Sequence, residues 1–216
     1  NPATKTLVAI QDMDIELIEN GETQEIPFIP QKRSREFEKL YESLIVNYSS
    51  LSRDNIEYQR PAILYVLPNN IGNLFGTVEQ LMDWKKRVGY DVQFVSSSNV
   101  VNNRNNLKNY IDDAYENWEN PPVHVTIVGD ADGSYDIPTW SESYSGYNGE
   151  GDHPYTTLEG NDPYPEVFIG RISFSTSSHL NTIISKTVNY ESNPYMNENW
   201  FQRACLVGDP NTSGVS

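Results

Sequence analysis

The chain has 216 residues with 37% hydrophobic and 12% aromatic side chains, enough for a packed core, and its sequence contains no apolar run of the ~20 residues needed to cross a bilayer. A formal charge of −15 excludes a partner whose phosphates would have to be neutralised, so nucleic acid is not expected. The single cysteine, Cys205, excludes an intrachain disulfide and leaves the redox compartment open.

Thr6 to Ile10, Ile15 to Ile18 and Glu25 to Ile29 read as short strands, with Asn20-Gly21 as a turn and Pro27 and Pro30 closing the pattern. From Ser34 the period changes. Phe37, Leu40, Tyr41, Leu44 and Ile45 recur at helical spacing behind Ser34 as N-cap, which predicts an amphipathic helix ending near Asn47. Ser49 to Gln59 is polar and ends in Arg60-Pro61, an exposed connector, so the organisation expected is residues 1–58 followed by a second unit, 59–216.

The second unit alternates regularly. Strands are predicted at Ala62 to Leu67, Tyr90 to Val95 and Val123 to Val128, and helices at Thr77 to Val88, stopped by Gly89, and at Asn102 to Trp118. Strand and helix in alternation with short connections imply parallel pairing and right-handed crossovers, and strands this continuously apolar imply helices on both faces. Ala131 to Gly151 shows neither period and reads as a long loop. Pro154 to Leu158 and Glu166 to Ser173 read as strands around the turn Gly160-Asn161-Asp162-Pro163. Ser175 caps a helix to about Tyr190, and Ala204 to Val207 reads as a further buried strand. The start without Met and the stop at Gly-Val-Ser are read as those of a piece of a longer protein, with no signal peptide in this segment.

The candidate site lies where Val123 to Val128 ends in Gly129-Asp130, because ligands in open α/β sheets gather at the carboxyl ends of the strands. Asp130, Asp132, Asp136, Asp152, Asp162 and Glu166 crowd the segment that follows. Carboxylates in such number could hold calcium through oxygen, though their spacing fits no EF-hand loop and they read equally well as turn and capping residues. His153 sits between Asp152 and Pro154 in the same acidic mouth. His124 falls in a strand, His179 in a first helical turn, and Cys205 in an apolar run where a thiol is protonated and inert. The sequence holds no Gly-rich phosphate loop, no CxxC pair, no HExxH and no GxSxG elbow.

The order of motifs from Pro61 onward, AILYVL, VEQLMDWKKRVGYDV, IVGDADGSYDIP, YTTLEGNDPYPEVFIGRIS and KTVNYE before NWFQRACLVGD, resembles the gingipain-type cysteine endopeptidases, peptidase family C25. The resemblance implies a caspase-like, three-layer α/β/α fold with a mainly parallel sheet over 59–216, forming the amino-terminal half of a catalytic domain. It implies that 1–58 is the end of a pro-segment, with Lys32, Arg33, Arg35, Arg53 and Arg60 as candidate processing points. In this family the catalytic histidine and the nucleophilic cysteine each follow a later strand, so the dyad is expected beyond Ser216 and no catalytic residue is assigned here. Asp209 and Asn211, with His153, are cleft-lining candidates. The resemblance further implies calcium, a secreted or cell-surface location, peptide or protein substrates, and the remaining half of the domain as partner. Two other classes fit the same residues: a peptidase-like component of a secretion or sorting machine, and a non-catalytic calcium-dependent surface module.

Overall fold

The computed structural model describes residues 33–45, 48, 57–144, 147–193 and 198–206. The chain divides into two compact units, Asn1–Gln31 and Lys32–Ser216, and all the described residues belong to the second. The strands expected before Pro30 and the residues Lys32, Arg53, Asp209 and Asn211 lie outside the described residues.

The second unit opens with α1 (Arg35–Leu44), followed by β1 (Ala62–Val66), α2 (Phe75–Arg87), β2 (Asp91–Val95), the short α3 (Ser98–Val101), α4 (Arg104–Asn117) and β3 (His124–Val128). A hairpin of β4 (Trp140–Tyr144) and β5 (Tyr147–Gly151) precedes β6 (Phe168–Ile172) and α5 (Ser177–Ser192). Four strands form one parallel sheet in the order β2-β1-β3-β6, while β4 and β5 pair only with each other.

The sheet is a three-layer α/β/α core because β1 is apolar at every position and must be covered on both faces. All five of its residues are buried. Ile63, Tyr65 and Leu67 pack with Val78, Leu81 and Met82 of α2 and Leu180 and Ile184 of α5. Leu64 and Val66, with Val125 and Ile127 of β3, pack on the other face against Leu107, Ile111 and Ala114 of α4. Glu191 ties the first pair of helices together by accepting from Trp84 Nε1 at 2.7 Å and from Lys85 Nζ at 2.8 Å.

Helix ends follow the sequence closely. Ser34 accepts from the Glu36 and Phe37 amides, as an N-cap should, and Asn103 does the same for Asn105 and Asn106 at the start of α4. The helix expected from Asn102 is thus two pieces split by that cap. Gly89 takes φ +105° just past α2, the left-handed position that ends a helix. Thr176 rather than Ser175 caps α5, through the His179 amide.

Four expectations are corrected. The segment read as one long loop contains the β4–β5 hairpin, whose Trp140-Ser141 to Tyr144 stretch carries a period-2 signal too short to stand out among glycines and serines. Pro154 does not start a strand: it stands in the first turn of a 3-10 helix, His153–Tyr155, where its missing N–H is no loss. The apolar stripe of α1 is mostly outward. Leu44 is 69% exposed and Leu40, Tyr41 and Ile45 are also exposed, while Phe37 stacks on Phe168 at 4.5 Å and the buried residue is Glu38, 3.7 Å from Arg33.

The fourth correction concerns Ala204 to Val207. Residues 203–206 form no strand, Cys205 is exposed and Leu206 is 94% exposed. The reason is topological. The chain travels from β1 to β2 over the face that α2 covers, and back past β1 to β3 over the opposite face, as the right-handed rule requires. Because α5 lies on the α2 face, a right-handed crossover from β6 points back across the sheet, away from the free edge of β6. A strand at 204–207 could join that edge only through a left-handed connection.

β3 leaves the sheet at Gly129, where a Cβ atom would stand 2.5 Å from the Tyr135 carbonyl oxygen and 3.0 Å from Ile137 Cγ1. Only a residue without a side chain lets the returning loop pass this close.

Three outcomes are expected. Leu64→Ala, at a fully buried site in a central strand, should lower the unfolding free energy in a denaturant titration by about 2–5 kcal/mol. Gly129→Ala should cost about 1–3 kcal/mol by overpacking, without changing the denaturant slope. His124 lies between the Tyr90 and Phe168 rings, and burial holds its pKa below 6.5 although Glu36 pulls it upward and Lys85 adds to the depression. Its neutral form therefore contributes stability that is complete above that value and is lost as pH falls through the folded-state pKa. His124→Phe should flatten the decline in melting temperature on acidification across that range.

Candidate functional site

The carboxyl ends of β1, β3 and β6 bring three exits together. Beyond β1, Asn70 Nδ2 donates to the Ser134 carbonyl at 2.6 Å, joining the exit of β1 to the loop that leaves β3. That loop closes on itself: the Asp130 amide donates to the Tyr135 carbonyl at 3.2 Å and the Ile137 amide to the Asp130 carbonyl at 2.8 Å. Beyond β6, Ser175 Oγ lies 3.2 Å from His179 Nδ1 in the first turn of α5.

Arg171, facing Ile127 in the β3–β6 ladder, fills the space beneath the loop. Its Nε and Nη2 donate to the two oxygens of Asp152 at 2.8 and 2.7 Å, and its Nη1 donates to the carbonyls of Gly129, Asp130 and Ile137 at 3.1, 3.1 and 3.0 Å. Both side chains are largely buried, so the paired charges are mutually dependent. Thr139 Oγ1 donates to the Gly151 carbonyl at 2.9 Å and stands 3.1 Å from Asp152 Oδ1, which fixes the base of the hairpin to the same cluster. Beneath it the buried Tyr155 hydroxyl donates to the Pro138 carbonyl at 2.5 Å; burial first, then the Asp152 charge, raises its pKa.

The six candidate carboxylates do not share one centre. Asp130 Oδ1 accepts from the Ala131 amide within its own turn, and Asp132 and Asp136 are exposed. Asp152 is held by Arg171. Asp162 accepts from the Tyr164 amide at 2.9 Å, and Glu166 Oε2 accepts from the Leu158 amide at 2.6 Å and the Glu159 amide at 3.3 Å. Among the described residues no three histidine, cysteine, aspartate or glutamate side chains are grouped to hold a metal. Calcium therefore does not fit this donor set: its strongest acidic ligand, Asp152, has both oxygens engaged by a guanidinium.

His153 is exposed and its Nε2 lies 2.9 Å from the Pro163 carbonyl, beside a trough of about 340 Å³ that runs along β6 past Asp152, Thr156, Val167 and Arg171. Of the processing candidates, Arg33 pairs with Tyr58 in a backbone bridge and bonds the Tyr48 hydroxyl, and Arg35 stacks over the Tyr58 ring at 4.4 Å. Arg60 is the outward one, with 76% of its side chain exposed and a 3.4 Å contact to Asp91, but the bond after it leads into Pro61, whose carbonyl accepts from the Asp91 amide.

Sequence reasoning missed Arg171. Its signal was present: a lone cation inside Phe168-Ile169-Gly170-Arg171-Ile172 must find a partner if the strand is buried.

Comparison with known proteins places this architecture. The description of Peptidase family C25 matches residues 56–215. Gingipain R2 of Porphyromonas gingivalis is 26% identical over 211 residues, covering 96% of this chain and 27% of the relative, and gingipain R1 of the same organism is 26% identical over 209 residues, covering 96% and 20%. The chain thus spans about a quarter of the length of these relatives. Two solved structures share the fold. The Arg-specific cysteine proteinase gingipain R (RgpB) has a TM-score of 0.50 at 28% identity over 60% of this chain and 28% of its own. The complex of P. gingivalis RgpB pro- and mature domains has a TM-score of 0.51 at 27% identity over 60% and 29%. With the family description spanning the whole parallel sheet and the loops at its carboxyl end, this chain belongs to peptidase family C25.

Proposed function

We propose that the chain is the amino-terminal half of the catalytic domain of a cysteine endopeptidase, residues 59–216, preceded at 1–58 by the end of its pro-segment. The observation that carries this reading is the family match over 56–215 in a chain that covers 27% of a gingipain relative. The sheet supplies one wall of a substrate cleft at the carboxyl ends of β1, β3 and β6, and the partner that completes the cleft is the following part of the same domain. There a cysteine thiolate attacks the peptide carbonyl, a histidine carries the proton to the leaving amine, and backbone N–H groups hold the oxyanion.

None of these chemical roles falls to a residue described here. His124 is stacked between rings, His153 faces the Pro163 carbonyl and His179 faces Ser175, while Cys205 stands exposed in an extended segment. A thiol without an imidazole in hydrogen-bond reach remains a weak nucleophile at neutral pH. No helix among the described residues is long and apolar enough to cross a membrane. Location at the cell surface or outside the cell, with proteins or peptides as substrates, follows from the relatives.

The test is hydrolysis of a peptide library by the purified 216-residue chain and by the parent chain extended through the downstream part of the domain. The extended protein should cleave, and a thiol-alkylating reagent should abolish cleavage. The 216-residue chain should not cleave. Alkylation-sensitive cleavage by this chain that disappears in Cys205→Ser would overturn the reading and make Cys205 the nucleophile.

A further inference from the structure

The oxygens gathered around Arg171 have the composition of a hard-cation site. Three carbonyl oxygens, from Gly129, Asp130 and Ile137, and both carboxylate oxygens of Asp152 converge on one positive group. Carbonyls mixed with carboxylate are the ligands calcium prefers. Here they meet a planar guanidinium whose donors are fixed relative to one another. The group is placed by the sheet itself, since Arg171 is paired with Ile127 in the ladder. It is also shielded from water, with side-chain exposures of 13% for Arg171 and 17% for Asp152.

We infer that Arg171 is the internal cation of the strand-exit loop, so that residues 129–137 and the base of the β4–β5 hairpin take their shape from a side chain and are indifferent to calcium. A divalent ion at Asp152 would have to displace the guanidinium from both oxygens and would then face it across a short, poorly screened distance. The remaining acidic residues of the loop offer no alternative cage: Asp130 Oδ1 is turned to the Ala131 amide and Asp132 and Asp136 are exposed. Lysine cannot replace Arg171, because one ammonium cannot reach the two Asp152 oxygens and the three carbonyls on its far side together.

Hydrogen exchange read by mass spectrometry tests this on the whole chain, because the Asp130 and Ile137 amides report the loop directly. In the native protein, exchange of the peptide spanning 129–138 should be the same with millimolar calcium as with a calcium chelator. In Arg171→Lys and in Asp152→Asn the same peptide should exchange faster by at least about tenfold in either condition, while the peptide spanning β1 stays protected. Arg171→Met should give a larger effect; if it fails to fold, the two milder variants decide the matter. Chelator-induced acceleration of the 129–138 peptide in the native protein would overturn the inference, and so would native-like exchange in both Arg171→Lys and Asp152→Asn.

Discussion

The ion pair between Arg171 and Asp152 is the constraint on which the carboxyl end of the sheet depends. A guanidinium taken into a largely buried position is tolerable only if its donors are all engaged, and here the partners come from three separate stretches of chain. One side chain therefore fixes where β3 exits, where the loop returns and where the hairpin starts. The close approach at Gly129 and the amide-to-carbonyl bonds within the loop follow from that fixed point.

The sheet explains why such a clamp is needed. Parallel strands pass from one to the next by crossovers, and the ends that face the mouth are not tied to one another by hairpins as in an antiparallel sheet. The exits of β1 and β3 are instead joined by Asn70 bonding Ser134, and those of β3 and β6 by Arg171 bonding the Gly129 and Asp130 carbonyls. The handedness of the crossovers also sets the limit of this layer, because α5 lies on the face from which the edge of β6 cannot be reached by a right-handed turn.

Strand and helix order from Ala62 to Ser192 was legible because period and punctuation agreed: continuous apolar runs for β1 and β3, helical spacing for α2, α4 and α5, and glycine or a polar cap at most ends. What escaped was decided by contacts distant in sequence. The acidic residues between Asp130 and Glu166 read as one cluster along the chain, yet folding turns Asp152 to a guanidinium and Glu166 and Asp162 to backbone amides. The stripe of α1 has the spacing of a buried face, but the surface it meets is narrow, so one ring docks and the rest stay outside. Cys205 has apolar neighbours and no ladder among the described residues, because burial of a strand requires a neighbouring strand and sequence shows only the strand.

The central place of β1 has a consequence for how the protein is born. Its pairing partners begin at Asp91 and His124, so this wholly apolar segment emerges from the ribosome with nothing yet made to cover it. At roughly 5–20 residues per second, the wait for β3 is on the order of several seconds, long compared with hydrophobic collapse. Nascent chains of this protein are accordingly expected to need a holding factor over that interval, and arrest shortly after β2 to be more harmful than arrest after α5.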